Sequence, residues 1–226
     1  MSRSTFVRQP LTGVVAGYDR MARWYRLAEP AVALPFGLRR KTVGRLALKH
    51  GDTVLEVGCG TGRNLRLLRE AVGPAGEVVG VDASSGMLER AGRLVAKNRW
   101  GNVRLIHQDA ATFTLDAAID AALFSLSYSV LPDRDGVLDN VWGMMRPGAR
   151  MVVMDGGLPA NGLGRALSAF GELVARIFPG DPYSRPWEDL TRLSPTVATE
   201  RLQFGIYFIC TVSKPEEATS VDRPGG

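Results

Sequence analysis

The sequence predicts an α/β fold with a mostly parallel sheet and helices on both of its faces. Three observations support this prediction. Short β-branched runs alternate with longer segments of helical periodicity along the chain. The first run, residues 54–57, ends in a turn with glycine at alternate positions, Gly58, Gly60 and Gly62. The second run, residues 78–82, ends in an acidic residue. A strand, a glycine turn and a helix start in succession are typical of a nucleotide site.

Composition favours one soluble domain with an ordinary core. The chain has 226 residues, 45% apolar and 23% charged. No run of about eighteen apolar residues is present, so we expect no transmembrane helix. Residues 1–10 lack an apolar region, so we expect no secretory signal and a cytoplasmic location. The two cysteines are expected to pack rather than to form a disulfide. Neither histidine has a neighbouring ligand at metal-site spacing, so no metal is expected.

The net charge of +5 leaves three interpretations open. A basic chain can bind nucleic acid, rest on an anionic membrane surface, or carry its charge as a solvated surface with no partner. Residues 125–128 lack the acidic or amide residue and the prolines found in base-modifying amino methyltransferases, and the chain has no Pro-Cys dipeptide. We therefore expect no nucleic-acid partner.

The glycine spacing indicates which nucleotide is bound. A dinucleotide fingerprint requires G-x-G-x-x-G, whereas Arg63 stands where the third glycine would fall. With Glu56 two residues before the first glycine, the stretch resembles motif I, E/D-x-G-x-G-x-G, of the class I S-adenosylmethionine (AdoMet) methyltransferases. Asn64 replaces the last glycine of that motif. The resemblance implies a Rossmann-like three-layer sandwich. Its seven-stranded sheet would be mostly parallel, with the last strand inserted antiparallel, and S-adenosyl-L-methionine would be the cofactor.

Two acids further along the chain extend the predicted cofactor site. Asp82 lies about 24 residues beyond Gly58, near the spacing of an acid that binds a ribose diol, although it could instead cap the next helix. In the resemblance, Asp109 reads the adenine edge and Met87 packs on the adenosine. The full set of predicted cofactor residues is Glu56, Gly58, Cys59, Gly60, Thr61, Gly62, Asn64, Asp82, Ala83, Met87, Asp109, Ala110, Phe124 and Ser125.

The N-terminal region carries a second resemblance. Residues 18–25 have a helical apolar stripe and are similar to the YDxxAxxYD opening of the ubiquinone/menaquinone C-methyltransferases and the related bacterial phospholipid N-methyltransferases. Arg26 departs from that pattern. The resemblance implies that Tyr18 and Tyr25 belong to a lid over cofactor and substrate; plain packing is the alternative. We therefore divide the chain into N-terminal lid helices (1–50), a methyltransferase domain (51–215) and a disordered tail (216–226).

Two further segments bear on the substrate. Residues 31–49 are predicted to form a basic amphipathic helix, or two helices with a break near 35–37. This segment either lies on a membrane surface or covers the sheet. An apolar insertion, 156–198, contains a predicted helix (163–178) and a turn-rich loop with Tyr183 and Trp187. It either caps the pocket over a greasy substrate, buries the sheet edge or forms a dimer. Tyr128 is a further candidate substrate contact. Residues 103–107, 119–124 and 151–154 are predicted as the third, fourth and fifth strands, and residues 199–203 and 204–212 as the last strands. We expect a turn-rich link at residues 70–76 and helix caps at Ser84 or Ser85 and at Asp133 or Asp135.

The sequence thus predicts in-line transfer of the AdoMet methyl group to a small, amphiphilic or lipid-like acceptor, such as a phospholipid amine or a quinone-type ring. Methylation of a soluble secondary metabolite and a non-catalytic AdoMet-binding scaffold are the alternatives. A nicotinamide oxidoreductase is disfavoured by the missing third glycine. No residue is nominated as catalytic base, and the sequence leaves open peripheral contact with an anionic membrane and the oligomeric state.

Overall fold

One seven-stranded sheet organises the computed structural model, which describes residues 9–22, 34–158, 162 and 180–216. The strand order is β3-β2-β1-β4-β5-β7-β6. The strands are β1 (Thr53–Val57), β2 (Glu77–Asp82), β3 (Val103–His107), β4 (Ile119–Ser125), β5 (Met145–Gly156), β6 (Ala198–Leu202) and β7 (Tyr207–Ser213). β1 to β5 are parallel, and β7 is antiparallel to both of its neighbours. The predicted fold class is confirmed.

Helices connect the parallel strands and cover both faces. Within the described ranges they are α1 (Leu11–Ala22), α2 (Leu38–Arg45), α3 (Leu65–Val72), α4 (Ser85–Asn98), α5 (Arg134–Met144) and the single turn α6 (Pro186–Asp189). Two predicted caps are present. The Ser84 hydroxyl accepts from the Met87 backbone N–H at 3.2 Å, and the Asp133 carboxylate accepts from the Gly136 N–H at 2.9 Å. None of the described helices is long and apolar enough to cross a membrane.

The core has two halves, one on each face of the sheet. Successive residues of a strand point to opposite faces. On β1, Leu55 therefore packs with Phe124 and Phe208, whereas Val54 packs with Leu123 on the other face. Because both faces are covered, the central strands are mostly apolar instead of alternating with polar residues, and Glu56 of β1 is a buried exception.

Four predicted boundaries were wrong. The link predicted at 70–76 is partly helical, since α3 continues to Val72, whose side chain is fully buried. The basic segment has the break predicted near 35–37, where Gly37 is left-handed (φ 77°), but the helix after it, α2, ends at Arg45 rather than at residue 49. β5 begins at Met145, earlier than the predicted residue 151. Residues 204–206 are not a buried strand: Phe204 is 85% exposed, and β7 begins only at Tyr207.

Other predictions fall on residues outside the described ranges. These are Tyr25, the apolar helix 163–178 and the tail beyond Glu216. The division of the chain into lid, domain and tail therefore stays a prediction.

Candidate functional site

A pocket opens at the carboxyl ends of β1, β2 and β4, where the strand order reverses. In open α/β sheets this reversal point is where ligands bind. The pocket has a volume of about 1130 Å³, including the part open to solvent. Its walls come from the glycine turn after β1, the turns after β2, β3 and β4, and helices α1 and α2. It therefore combines groups from distant parts of the chain.

The three glycines of the first turn serve two different purposes. All have a left-handed φ, between 55° and 82°. A Cβ at Gly58 would lie 2.5 Å from the Ser127 Cβ, and one at Gly62 would lie 2.7 Å from Cδ1 of Leu65. A Cβ at Gly60 would meet no atom within 4 Å, and Gly60 lines the pocket. Gly58 and Gly62 thus permit close packing, whereas Gly60 leaves space for a ligand.

A buried acid with one unpartnered oxygen lies behind the glycine turn. Glu56 is 1% exposed, and its Oε1 accepts from Nδ2 of Asn64 at 2.6 Å. Among the described residues, its Oε2 has no hydrogen-bond partner. Burial raises the pKa of Glu56 to about 7, against the opposing effects of Asn64 and the Arg39 guanidinium. This carboxyl can therefore accept a donor from a ligand.

Arg39 completes this corner of the pocket. Its Nη1 donates to Oδ1 of Asn64 at 3.2 Å and to Oγ of Ser125 at 3.5 Å. The guanidinium comes from α2, whereas its partners follow β1 and end β4. A guanidinium near a buried carboxyl with a free oxygen suits a ligand that carries both an anionic and a cationic group.

Asp82 shapes the next part of the wall. Its Oδ2 accepts from the Gly60 N–H at 2.7 Å, and its Oδ1 accepts from the Ser84 N–H at 2.8 Å. Burial raises the pKa of Asp82, while these two hydrogen bonds act in the opposite direction. Each oxygen keeps capacity for a further hydrogen bond, as binding of a diol requires. The cap of α4 is Ser84 rather than Asp82, so the helix-cap alternative is wrong.

Asp109 plays a similar part after β3. Its Oδ1 accepts from the Ala111 N–H at 3.0 Å, which fixes the turn. Of the predicted residues, those that line the pocket are Tyr18, Glu56, Gly58, Cys59, Gly60, Thr61, Asn64, Asp82, Ala83, Met87, Asp109, Ala110 and Ser125. The structure thus brings most of the predicted set together, from five separate segments of the chain.

Several predicted residues lie away from the pocket lining. Gly62 packs against its own helix, and Phe124 is in the core, where it meets the Tyr128 ring edge to face with centroids 6.0 Å apart. Tyr128 is fully buried, and its hydroxyl donates to Oδ2 of Asp189 at 2.8 Å. Trp187 packs edge to face on Phe208. Tyr183 also lies outside the lining. Tyr128 and Trp187 thus anchor the segment after 180.

An apolar wall was missed at the sequence level. It is formed by Leu11, Val14 and Val15 of α1 and by Val130, Leu131 and Val137 from the chain after β4. With Tyr18, the α1 residues follow the i, i+3, i+4, i+7 spacing of one helix face. Extending the stripe toward the N-terminus would have found them. Arg39 had no such signal, because it was one of several basic residues on a predicted surface helix.

Helix α1 is fastened to the adjacent wall by a carboxylate. Oδ1 of Asp19 accepts from the Ser84 hydroxyl at 2.5 Å and from the Gly86 N–H at 3.0 Å. A Cβ at Gly86 would lie 3.1 Å from that oxygen, so the glycine permits the approach. An anion at the start of α4 also interacts favourably with the helix dipole.

Comparison with known proteins shows which family the chain resembles. A family model described as a methyltransferase domain matches residues 54–148, the region that contains β1 to β4 and most of the polar wall. In this region the chain is similar to methyltransferases. Over 122 residues it is 33% identical to a demethylmenaquinone methyltransferase from Geobacillus sp. (strain WCH70), covering 54% of this chain and 52% of that protein. The chain thus spans about half the length of this curated relative.

Solved structures show the same fold. A SAM-dependent methyltransferase from Aquifex aeolicus superimposes with a TM-score of 0.61 at 22% identity, over 81% of this chain and 95% of that one. Phosphoethanolamine N-methyltransferase 2 of Haemonchus contortus, solved with S-adenosyl-L-methionine, gives 0.67 at 14% identity, over 80% and 53%. At these identities the likeness establishes the fold alone. The predicted resemblance to class I methyltransferases is confirmed.

Proposed function

We propose that this chain transfers the methyl group of S-adenosylmethionine to a small amphiphilic or lipid-like acceptor, either a phospholipid amine or a quinone-type ring. The observation that carries the proposal is that one pocket is lined by two chemically different sets of residues, which we call its polar half and its apolar half. The polar half contains Glu56, Gly60 and Asp82, and the apolar half contains Val14 and Leu131. A charged cofactor and a greasy acceptor could lie side by side in such a pocket.

The residues of the polar half fit the cofactor. The ammonium of its amino-acid part would supply the missing donor to Oε2 of Glu56, and Arg39 would face the carboxylate. Asp82 would accept from the ribose hydroxyls, and Asp109 would lie at the adenine. The empty space at Gly60 would let the ligand approach the backbone. The other predicted cofactor residues of the lining complete this wall.

AdoMet supplies a methyl group that is already activated on a sulfonium, so the transfer needs only an in-line nucleophile. The task of this chain is then to align the acceptor and to exclude water. The apolar side chains of α1 and of residues 130–137 serve both purposes. Tyr18 lies in the same wall and can orient a polar group of the acceptor. We assign no general base, since an amine can release its proton to solvent.

The apolar half of the pocket favours an amphiphilic acceptor over a water-soluble one. Two separate parts of the chain, α1 and residues 130–137, contribute aliphatic side chains to its lining. The curated relative from Geobacillus is named for a quinone substrate, which is consistent with this preference. A soluble secondary metabolite is the competing acceptor.

The test has two stages. Calorimetric titration with S-adenosylhomocysteine should show saturable binding at one site per chain. Incubation with labelled AdoMet and a bacterial lipid extract should then place label in the organic phase, with Asp82→Ala as the impaired control. Label confined to water-soluble products would refute the lipid acceptor, and no binding of S-adenosylhomocysteine would refute the proposed cofactor.

A further inference from the structure

Two phenylalanine side chains are exposed to solvent, in contrast to the buried apolar side chains of the core. Phe36 is fully exposed and Phe204 is 85% exposed. They are the large apolar side chains that are exposed within the described ranges. A single exposed apolar residue is ordinary, so their positions decide whether they have significance.

Both lie at the edge of the sheet where the pocket opens. β6 ends at Leu202, β7 begins at Tyr207, and these two residues pair. Tyr207 also pairs with Gly156, at the carboxyl end of β5, so the turn that carries Phe204 is at the carboxyl edge. Phe36 directly precedes α2, whose first turn includes Arg39 of the pocket wall.

The turn at Phe204 is conformationally strained. Gln203, Phe204 and Gly205 have φ values of 46°, 57° and 89° in succession. The left-handed region is unfavourable for residues with a Cβ, and a bulky residue there is an outlier. The ring is exposed, so its own packing does not offset this cost. The strained turn has the effect of projecting an aromatic ring into solvent.

Basic residues accompany both rings. Arg40 is exposed four residues after Phe36, and Arg201 is exposed three residues before Phe204, with its guanidinium 4.8 Å from the Trp187 ring centre. Glu200, which precedes Arg201 in β6, is paired with both Lys41 and Arg45, and these cations lower its pKa. The edge therefore carries excess positive charge beside exposed aromatic groups.

We infer that this edge, defined by Phe36, Arg40, Arg201 and Phe204, docks on an anionic lipid bilayer. Exposed aromatic groups flanked by Lys and Arg bind such surfaces through burial of apolar area together with attraction to anionic headgroups. Two rings on separate turns also suit a fluid surface better than a protein partner, which needs a continuous patch. The inference deepens the proposed function, because docking would place the pocket mouth at the source of a lipid acceptor.

Vesicle flotation of the full chain tests the inference. Wild-type protein should float with phosphatidylcholine vesicles that contain about one-third phosphatidylglycerol and remain in solution with pure phosphatidylcholine. The double variant Phe36→Ser, Phe204→Asn should partition at least about tenfold less into the anionic vesicles. Arg40→Glu should weaken partitioning more than Lys97→Glu, a matched charge reversal at the exposed C-terminal end of α4. Equal loss in the two charge variants would overturn the inference.

Two measurements separate docking on lipid from cofactor binding and from self-association. The double variant should retain the S-adenosylhomocysteine affinity of the wild type, because neither ring lines the pocket. Vesicle binding without S-adenosylhomocysteine binding would support docking and refute the proposed function. S-adenosylhomocysteine binding without vesicle binding would support the proposed function and refute docking on lipid. If light scattering shows that the double variant changes a dimer into a monomer and the wild type does not float, the surface binds a second copy and the inference is wrong.

Discussion

Two turns at the same edge of the sheet have left-handed backbone at several residues, yet they are built from different amino acids. The turn after β1 uses glycine at each such position, Gly58, Gly60 and Gly62. The turn between β6 and β7 uses Gln203, Phe204 and Gly205. In the first turn a side chain would collide with neighbours or occupy the pocket. In the second a large side chain is kept in spite of its cost.

The difference shows how to interpret positive φ. Where the backbone must be approached closely, glycine is used, and the cost is entropy of the unfolded chain. Where a bulky residue adopts the same conformation without burial, local stability does not explain its presence. Substitutions can test this contrast, beginning with the largest expected effect.

Gly60→Val should abolish binding of S-adenosylhomocysteine, because the new side chain would occupy the space that the ligand needs. Calorimetry measures the affinity. Gly51→Val is the matched control, since Gly51 also has a positive φ (96°) and open space around its Cβ position but does not line the pocket. Both variants should lose similar stability. Loss of binding in the control as well would show that strain, not occupied space, is responsible.

Glu56→Gln should affect stability and binding in opposite directions. The pKa of Glu56 rises from its ordinary value of 4.5 to about 7 in the folded chain, so the folded state holds a proton more tightly. Its stabilising contribution is complete below about pH 4.5 and is lost as the pH rises through about 7. Glutamine removes this dependence and should raise the free energy of unfolding at about pH 8 by on the order of 3 kcal/mol.

Urea unfolding of the wild type and Glu56→Gln at about pH 5 and about pH 8 measures this effect. The gain should be small at the lower pH, where the wild-type carboxyl is largely protonated. Affinity for S-adenosylhomocysteine should fall, because a neutral amide attracts an ammonium less than a carboxylate does. An equal gain at both pH values would contradict the assigned protonation of Glu56.

Asp82→Ala should weaken S-adenosylhomocysteine binding by about 1–3 kcal/mol through loss of hydrogen bonds to the ribose. Asp120→Ala provides a control, because Asp120 also accepts a backbone N–H, that of Thr53, at 2.7 Å but lies outside the pocket. Calorimetry should detect the loss of affinity only in the first variant. Unchanged affinity of Asp82→Ala would remove Asp82 from the site.

Phe204→Asn should stabilise the chain slightly, by about 1 kcal/mol, since asparagine tolerates the left-handed region better than phenylalanine. Thermal unfolding measures the change. Arg99→Asn should give a similar gain, because Arg99 ends α4 with a φ of 54°. Destabilisation by Phe204→Asn, with the expected gain at Arg99, would mean that the ring makes a stabilising contact and that the contrast between the two turns is false.

The parts of the fold predicted from sequence are those with local signals. The β-branched runs of β1, β2 and β3, the glycine turn and the Ser84 cap depend on neighbouring residues, and the structure has them where they were expected. The turn at Phe204 was mistaken for strand, because an apolar run does not reveal a left-handed backbone. Its conformation is set by the pairing of β6 with β7, which is a tertiary feature.

The predicted site likewise contains residues with a local sequence signal and residues that only tertiary packing brings to the pocket. Glu56, Asp82 and Asp109 follow or end strands and were found by spacing. The apolar wall and Arg39 come from α1 and α2, far along the chain, and only packing places them at the pocket. The aromatic residues Tyr128 and Trp187 were expected at the substrate because of their type. The structure uses them instead to hold the segment after 180 against the sheet.

The hydrogen bonds of Asp19 connect helix movement with proton affinity. Asp19 joins α1 to the start of α4, and its negative charge also contributes to the raised pKa of Asp82. If α1 swung away from the pocket, the pKa of Asp82 would fall and its ionised form would be favoured. By linkage, protonation of Asp82 favours the position in which Asp19 of α1 contacts α4. Acidification should therefore slow the exchange of a ligand bound in the pocket beneath α1.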